Sequence, residues 1–362
     1  MSTRKTPCEN RPTVGRIGRR SGTRGETVKK LRGLTVLVSV VVIALLTVPT
    51  AAHADRNPAA HAARQKVARI TNLADIGPLR TDLWVYSPSN HKKMKVNVLT
   101  PANSTGPRSV VYMLDGADAG ADVSDWITKG RAGRFFANKN VTVVLPAGGK
   151  GTFYTNWRSR DPNLGKPQWE TFLTEELPPL IDKEFNGTGR NAIVGLSMGG
   201  QAALAIAARF PKLYTGVASL SGCPEVYEPA NQAYVHTTVA NAGGNAINMW
   251  GPPRSPAWKA HDPGTRLDKL RGKNIYLSSG SGLAGPLDLM RKVDPEEGTR
   301  QSVTASASAL ELGAWRCSIN FALELRKARI PFTDGLRLVG THYWGYWEQD
   351  LPRMWPTIAQ GL

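Results

Sequence analysis

Cysteine is scarce in this chain, with three in 362 residues, and histidine is little commoner, with six. The sequence shows no metal, cofactor or nucleic-acid motif. Acids are outnumbered, 28 against 46 Lys and Arg, for a net charge of +18. Long apolar runs are also missing. Only residues 34–48 are apolar apart from Thr35, Ser39 and Thr47, and that is short of the roughly 20 residues a membrane span needs. No internal repeat or low-complexity linker divides the chain, which excludes repeat and collagen-like architectures.

What flanks the apolar run gives it a meaning. Residues 1–33 carry ten Lys and Arg against two acids, Pro49 ends the run, and Ala52-His53-Ala54 is a small-x-small cleavage signature. Residues 1–54 therefore read as a secretory signal peptide with a long basic n-region. Cleavage leaves 308 residues, enough for one large α/β domain: an N-terminal extension over 55–80 and the domain proper over 81–362. The remaining 36 Lys and Arg against 26 acids give +10, which would draw an exported protein to anionic envelope polymers. Cys8 leaves with the signal. Cys223 and Cys317 then form an even pair in an oxidising compartment, and a disulfide between them is expected.

The rest of the chain alternates short apolar strands with helical patterns. One or two strands are expected over 80–100, then strands at 109–114, 140–145, 192–194, 214–220, 274–278 and 337–339. Helices are expected at 169–184, 201–209 and 308–328. Apolar strands separated by helices predict a mostly parallel, doubly wound sheet. Glycine or proline lies just past several strand ends, where such folds place their sites.

Among these junctions, Gly195-Leu196-Ser197-Met198-Gly199 reads G-x-S-x-G between the apolar residues Ala192, Ile193 and Val194 and an Ala-rich helix. Strand before and helix after make it a nucleophile elbow, with glycines allowing a sharp turn that exposes the Ser197 hydroxyl. The Met198 amide would then donate to a developing oxyanion. The hydrolase order is serine, acid, histidine, which leaves His236, His261 and His342 as bases. His342 follows a predicted strand near the C-terminus, whereas His261 lies in what reads as a surface turn. Asp288, Asp294, Glu296, Glu297 and Glu311 all stand between the penultimate strand and His342, and spacing alone does not choose among them.

Several separated motifs go beyond a general hydrolase pattern. They are Tyr112-Met113-Leu114-Asp115-Gly116, Phe153-Tyr154-Thr155-Asn156-Trp157, residues 169–178 (Trp-Glu-Thr-Phe-Leu-Thr-Glu-Glu-Leu-Pro), Asn248-Met249-Trp250-Gly251-Pro252, Pro256-Ala257-Trp258 and residues 340–347. In these the chain resembles the secreted mycolyltransferases of the antigen 85 type, from mycolic-acid-containing actinobacteria, from about residue 81 to the C-terminus.

That resemblance implies an α/β-hydrolase fold with a Ser-Glu-His triad. It selects Glu311 as the acid, because the family's Glu opens a helix with Arg five and Phe ten residues on, matched by Arg316 and Phe321; Asp288 is the runner-up. It makes the Ala117 amide the second oxyanion donor beside Met198. It puts Asp118 where the family has an Arg that holds the sugar head, a charge reversal that bears on trehalose recognition. Asp115 is retained and is expected to accept a sugar hydroxyl, while Trp126, Trp157, Trp344 and Trp347 are candidates to line the site. The implied partners are trehalose mycolates or related glycolipid esters and cell-envelope acceptors, with no nucleic acid and no cofactor.

Overall fold

The computed structural model describes residues 66–102 and 106–362. The proposed signal peptide, Cys8 and the start of the 55–80 extension lie outside the described residues.

Nine strands form one sheet: β1 (Arg69–Gly77), β2 (Arg80–Ser87), β3 (Lys92–Leu99), β4 (Arg108–Leu114), β5 (Val141–Pro146), β6 (Gly187–Leu196), β7 (Tyr214–Leu220), β8 (Asn274–Gly280) and β9 (Thr333–Arg337). Their order is β1-β2-β3-β5-β4-β6-β7-β8-β9. The first three strands and β5 pair antiparallel, and every pairing from β5 to β9 is parallel.

The central strands are buried on both faces and so read as continuous apolar runs. Val110, Tyr112 and Leu114 of β4 enter one core, while Val111 and Met113 enter the other. The first core is covered by α1 (Leu177–Glu184), α2 (Met198–Arg209) and the far half of α4 (Arg300–Lys327), through Ile181, Leu204 and Phe321. The second is covered by α5 (Trp344–Ala359), through Met354 and Ile358, and by Trp126 and Phe136 of two short helical turns. Between β7 and β8 lies α3 (Pro229–Asn241), which reaches over the C-terminal ends of the strands. Helices on both faces give the doubly wound α/β-hydrolase architecture expected.

Four local expectations are corrected. The sheet starts before residue 81, because β1 falls within the 55–80 segment and pairs with β2 around Pro78-Leu79. The last strand is Thr333–Arg337, one turn of sequence earlier than 337–339. It is a polar edge strand without alternation, whereas Leu338 and Val339 are exposed. Gly335 is required there, since a Cβ would lie 2.4 Å from the Tyr276 hydroxyl.

The helix carrying Glu311 begins at Arg300, capped by Thr299 Oγ1 accepting from the Ser302 amide, so Glu311 lies well inside it and does not open it. The 169–184 helix is interrupted by a π segment, Phe172–Glu176, in which the Leu177 amide donates to the Phe172 carbonyl. Pro178 and Pro179 follow directly and supply no amide to the carbonyls of the preceding turn, which accounts for the change of register.

Candidate active site

The elbow is built by close backbone approach. Ser197 sits between β6 and α2 with φ of 51° and ψ of −122°. A Cβ at Gly195 would lie 2.0 Å from the Gly199 carbonyl oxygen, and one at Gly199 would lie 2.4 Å from the Asp115 carbonyl oxygen. Both glycines of the motif are therefore steric necessities. The Ser197 amide donates to the Leu220 carbonyl of β7 at 2.7 Å, which holds the strained residue in place. Met198 opens α2, so its amide lies at the positive end of that helix.

His342 arrives from the turn between β9 and α5. Gly280 and Gly340 bring that turn against β8, since a Cβ on Gly280 would lie 2.4 Å from the Gly340 carbonyl oxygen. The His342 amide donates to Ala307 of α4 at 3.1 Å. Its Nε2 lies 2.9 Å from Ser197 Oγ and its Nδ1 lies 2.6 Å from Glu311 Oε2. Trp347 packs edge-on against the imidazole with centroids 4.9 Å apart.

Glu311 is wholly buried. Its Oε1 accepts from Ser221 Oγ at 2.7 Å, Ser279 Oγ at 3.0 Å and the Gly280 amide at 2.6 Å. Burial alone would raise its pKa, but bonds from His342, Ser221 and Gly280 outweigh that and hold the carboxyl below its ordinary value. Asp288 is also buried but serves elsewhere. It accepts from Thr341 Oγ1, from the Tyr346 hydroxyl at 2.7 Å and from the Gly285 amide at 2.8 Å, and so pins the segment before His342.

Ser197 and His342 open into a cleft of about 310 Å³ lined by Ala117, Asp118, Ser221, Tyr234, Leu310 and Trp344, among others. At its mouth Asp118 pairs with Lys150 at 3.5 Å and Asp125 with Lys129 at 3.0 Å. Trp344 and Trp347 line the cleft. Trp126 and Trp157 do not: both are core residues, donating to the carbonyls of Leu114 and Thr152 at 3.0 and 3.2 Å.

Asp115 is likewise corrected. It is fully buried and accepts from Ser124 Oγ at 3.0 Å and the Asp125 and Trp126 amides at 3.2 Å, so it shapes the turn behind the cleft and does not face a sugar. Burial pushes its carboxyl up to about 7, with Asp125 adding to the effect. His261 is not in a surface turn. It stacks on Trp250 with centroids 5.0 Å apart and lies 3.6 Å from Glu170, a buried carboxylate that also takes two bonds from Arg209.

Sequence reasoning missed Ser221, Ser279, Tyr234 and Lys150. The available signal was positional, since Ser221 and Ser279 stand at the C-terminal ends of β7 and β8.

Cys223 and Cys317 are joined by a disulfide with Cα atoms 4.9 Å apart. Among the described residues no group of three or more His, Cys, Asp or Glu could hold a metal ion, and no helix is long and apolar enough to cross a membrane.

Comparison with known proteins agrees with this architecture. The putative esterase family matches residues 87–358. The diacylglycerol acyltransferase/mycolyltransferase Ag85C of Mycobacterium leprae is 33% identical over 288 residues, covering 77% of this chain and 81% of that one. The MPT51 antigen of the same organism is 32% identical over 331 residues, covering 90% and 97%. The crystal structure of Mycobacterium tuberculosis MPT51 superposes with a TM-score of 0.64 at 29% identity, over 77% of this chain and 97% of that one. An S-formylglutathione hydrolase from Agrobacterium tumefaciens shares the fold, with a TM-score of 0.59 at 17% identity, covering 81% of this chain and 99% of that one. The family match and identities above 30% across most of both chains make this chain a member of the putative esterase family, of the antigen 85 type.

Proposed function

We propose that this chain is a secreted serine acyltransferase of the cell envelope that moves mycolic acyl groups from trehalose mycolates or related glycolipid esters to envelope acceptors. The observation that carries the reading is the unbroken line from Ser197 Oγ through His342 to the buried Glu311, with Ser197 and His342 lining one cleft, in a chain that has relatives named acyltransferases.

His342 Nε2 takes the Ser197 proton as Oγ attacks the ester carbonyl. Glu311 fixes the tautomer by accepting from Nδ1 and balances the imidazolium charge. The amides of Met198 and Ala117 receive the oxyanion, where one such donor is worth roughly 3–4 kcal/mol in a well-studied protease. The tetrahedral intermediate collapses, the C–O bond to the leaving alcohol breaks, and His342 returns the proton to that oxygen. An acceptor hydroxyl then attacks the acyl-serine, with His342 as base again. The apolar wall of Leu310, Ala314, Trp344 and Trp347 disfavours water at this second step.

A secreted carboxylesterase on the same scaffold is the second reading, favoured by Asp118 in place of the expected cation. Acyl transfer from trehalose monomycolate, measured against release of free acid from the same substrate, tests the proposal. Free acid as the sole product would favour the esterase.

A further inference from the structure

Ser221 is a residue without a place in the proposed reaction, yet it is held in a costly conformation. Its φ is 50°, a region in which glycine is at ease and a side chain is strained, and the next residue is glycine. A backbone that only needed the turn would be served better by glycine at 221. The hydroxyl is therefore the reason for the strain. Ser221 Oγ receives the indole N–H of Trp347 at 2.9 Å and passes its own proton toward Glu311 Oε1 at 2.7 Å. The same Trp347 packs against the His342 ring.

We infer that Trp347 and Ser221 form a positioning relay that holds Glu311 and limits its basicity, and through it sets the proton affinity of the Glu311–His342 pair. The inference rests on the reading of Ser197, His342 and Glu311 as a triad.

The physics runs through one oxygen. With Oε1 saturated by Ser221, Ser279 and Gly280, only Oε2 is left for His342, and the carboxylate has one orientation. Donors on Oε1 also draw charge away from Oε2. The titratable groups that face this carboxylate are His342 from the turn and Tyr234 from α3. The pairs Asp118–Lys150 and Asp125–Lys129 stand farther out, at the cleft mouth. Within one turn of Glu311, α4 carries no other charge. Loss of the Ser221 hydroxyl would leave more charge on Oε2, and the pair would take up its proton at higher pH whichever partner receives it.

The test uses the rate at which a fluorophosphonate labels Ser197, followed against pH, because it needs no knowledge of the natural substrate. Ser221→Gly relieves the strained backbone and Ser221→Ala keeps a Cβ, so the two variants do not share a folding defect. Trp347→Phe keeps a ring against His342 and removes the N–H. Both Ser221 variants should label about tenfold more slowly, with the acid limb moved up by about half to one pH unit. Trp347→Phe should move it less in the same direction. The double variant Ser221→Gly/Trp347→Phe should shift no further than Ser221→Gly alone, because Trp347 acts through Ser221. A limb that stays in place in the Ser221 variants, or shifts that add in the double variant, would overturn the relay. A wild-type profile with no acid limb, or labelling that survives Ser197→Ala, would instead strike the triad reading itself.

Discussion

Ser197 and Ser221 occupy equivalent places at the ends of adjacent parallel strands. Their φ angles are 51° and 50°, and each amide donates at 2.7 Å to a carbonyl of the next strand along, Leu220 for Ser197 and Ser278 for Ser221. The sheet thus presents two strained serines side by side. One contacts the imidazole at Nε2, and the other contacts the carboxylate that holds Nδ1.

Ser197→Ala should abolish fluorophosphonate labelling and acyl transfer while leaving the thermal transition close to that of the wild type. The side chain loses one hydroxyl, and the alanine adopts a backbone that serine already strains to adopt. Mass spectrometry of the treated protein checks it. An adduct in the variant would show that another nucleophile is responsible.

The two buried carboxylates near His342 should separate cleanly. Glu311→Gln should lower turnover by about two to four orders of magnitude, because the imidazolium loses its orienting charge. Asp288→Asn should keep turnover within about tenfold and instead cost about 1–3 kcal/mol of stability, since Asn cannot accept from Thr341, Tyr346 and Gly285 together. Steady-state kinetics beside denaturant titration distinguishes them, and a reversed pattern would move the acid to Asp288.

Glu170 gives the pH dependence of stability a defined sign. Burial alone would raise its pKa, but His261 and Arg209 outweigh burial and bring the carboxyl down from its ordinary value of 4.5 to about 2. A lowered folded-state pKa stabilises above the unfolded value and loses that contribution as pH falls through the folded one. The ion pair should therefore contribute about 3 kcal/mol at neutral pH, fading between about pH 4.5 and 2. Glu170→Gln should be destabilised by a similar amount at pH 7 and should converge with the wild type near pH 2. Parallel unfolding curves at every pH would refute this.

The disulfide should be complete in protein recovered from an oxidising compartment. Intact mass after alkylation under non-reducing, denaturing conditions should show Cys223 and Cys317 unmodified. Its sequence separation of 94 residues corresponds to about 4–5 kcal/mol in the chain-entropy model, an upper figure. Cys223 lies two residues after Ser221, and Cys317 lies on the helix of Glu311. Reduction should accordingly slow labelling of Ser197 as well as lower the melting temperature, and a loss of stability alone would show that the Ser221–Glu311 contact holds without the bridge.

The legible parts of this molecule were those where one physical cause dominates. The strand Tyr214–Leu220 could be read to the residue because burial on both faces leaves mostly apolar or small side chains, with Thr215 and Ser219 the polar exceptions. The elbow could be read because sterics demand both glycines. The edge strands β1 and β9 escaped because an edge needs no apolar alternation, and their residues are half-buried or exposed. The acid could not be chosen from spacing, since its contact with His342 spans 31 residues and is made by tertiary packing. Ser221 escaped for the same reason, reaching Glu311 across 90 residues. Asp115 misled because a motif conveys residue type without burial. Its neighbours Ser124, Asp125 and Trp126 wrap it completely.

The length of α4 bears on how the enzyme would wear out. Helices open from their ends, and amide exchange is fastest there. Glu311 lies more than two turns inside a 28-residue helix and below a disulfide on the same helix, so end fraying does not reach it. His342 has no such protection: it rides on a turn held by a few backbone bonds and by Asp288. On heating, this turn should let go before the elbow of Ser197 or the helix of Glu311. Catalytic lifetime would then be governed by a local opening around His342, at a free-energy cost well below that of unfolding the sheet.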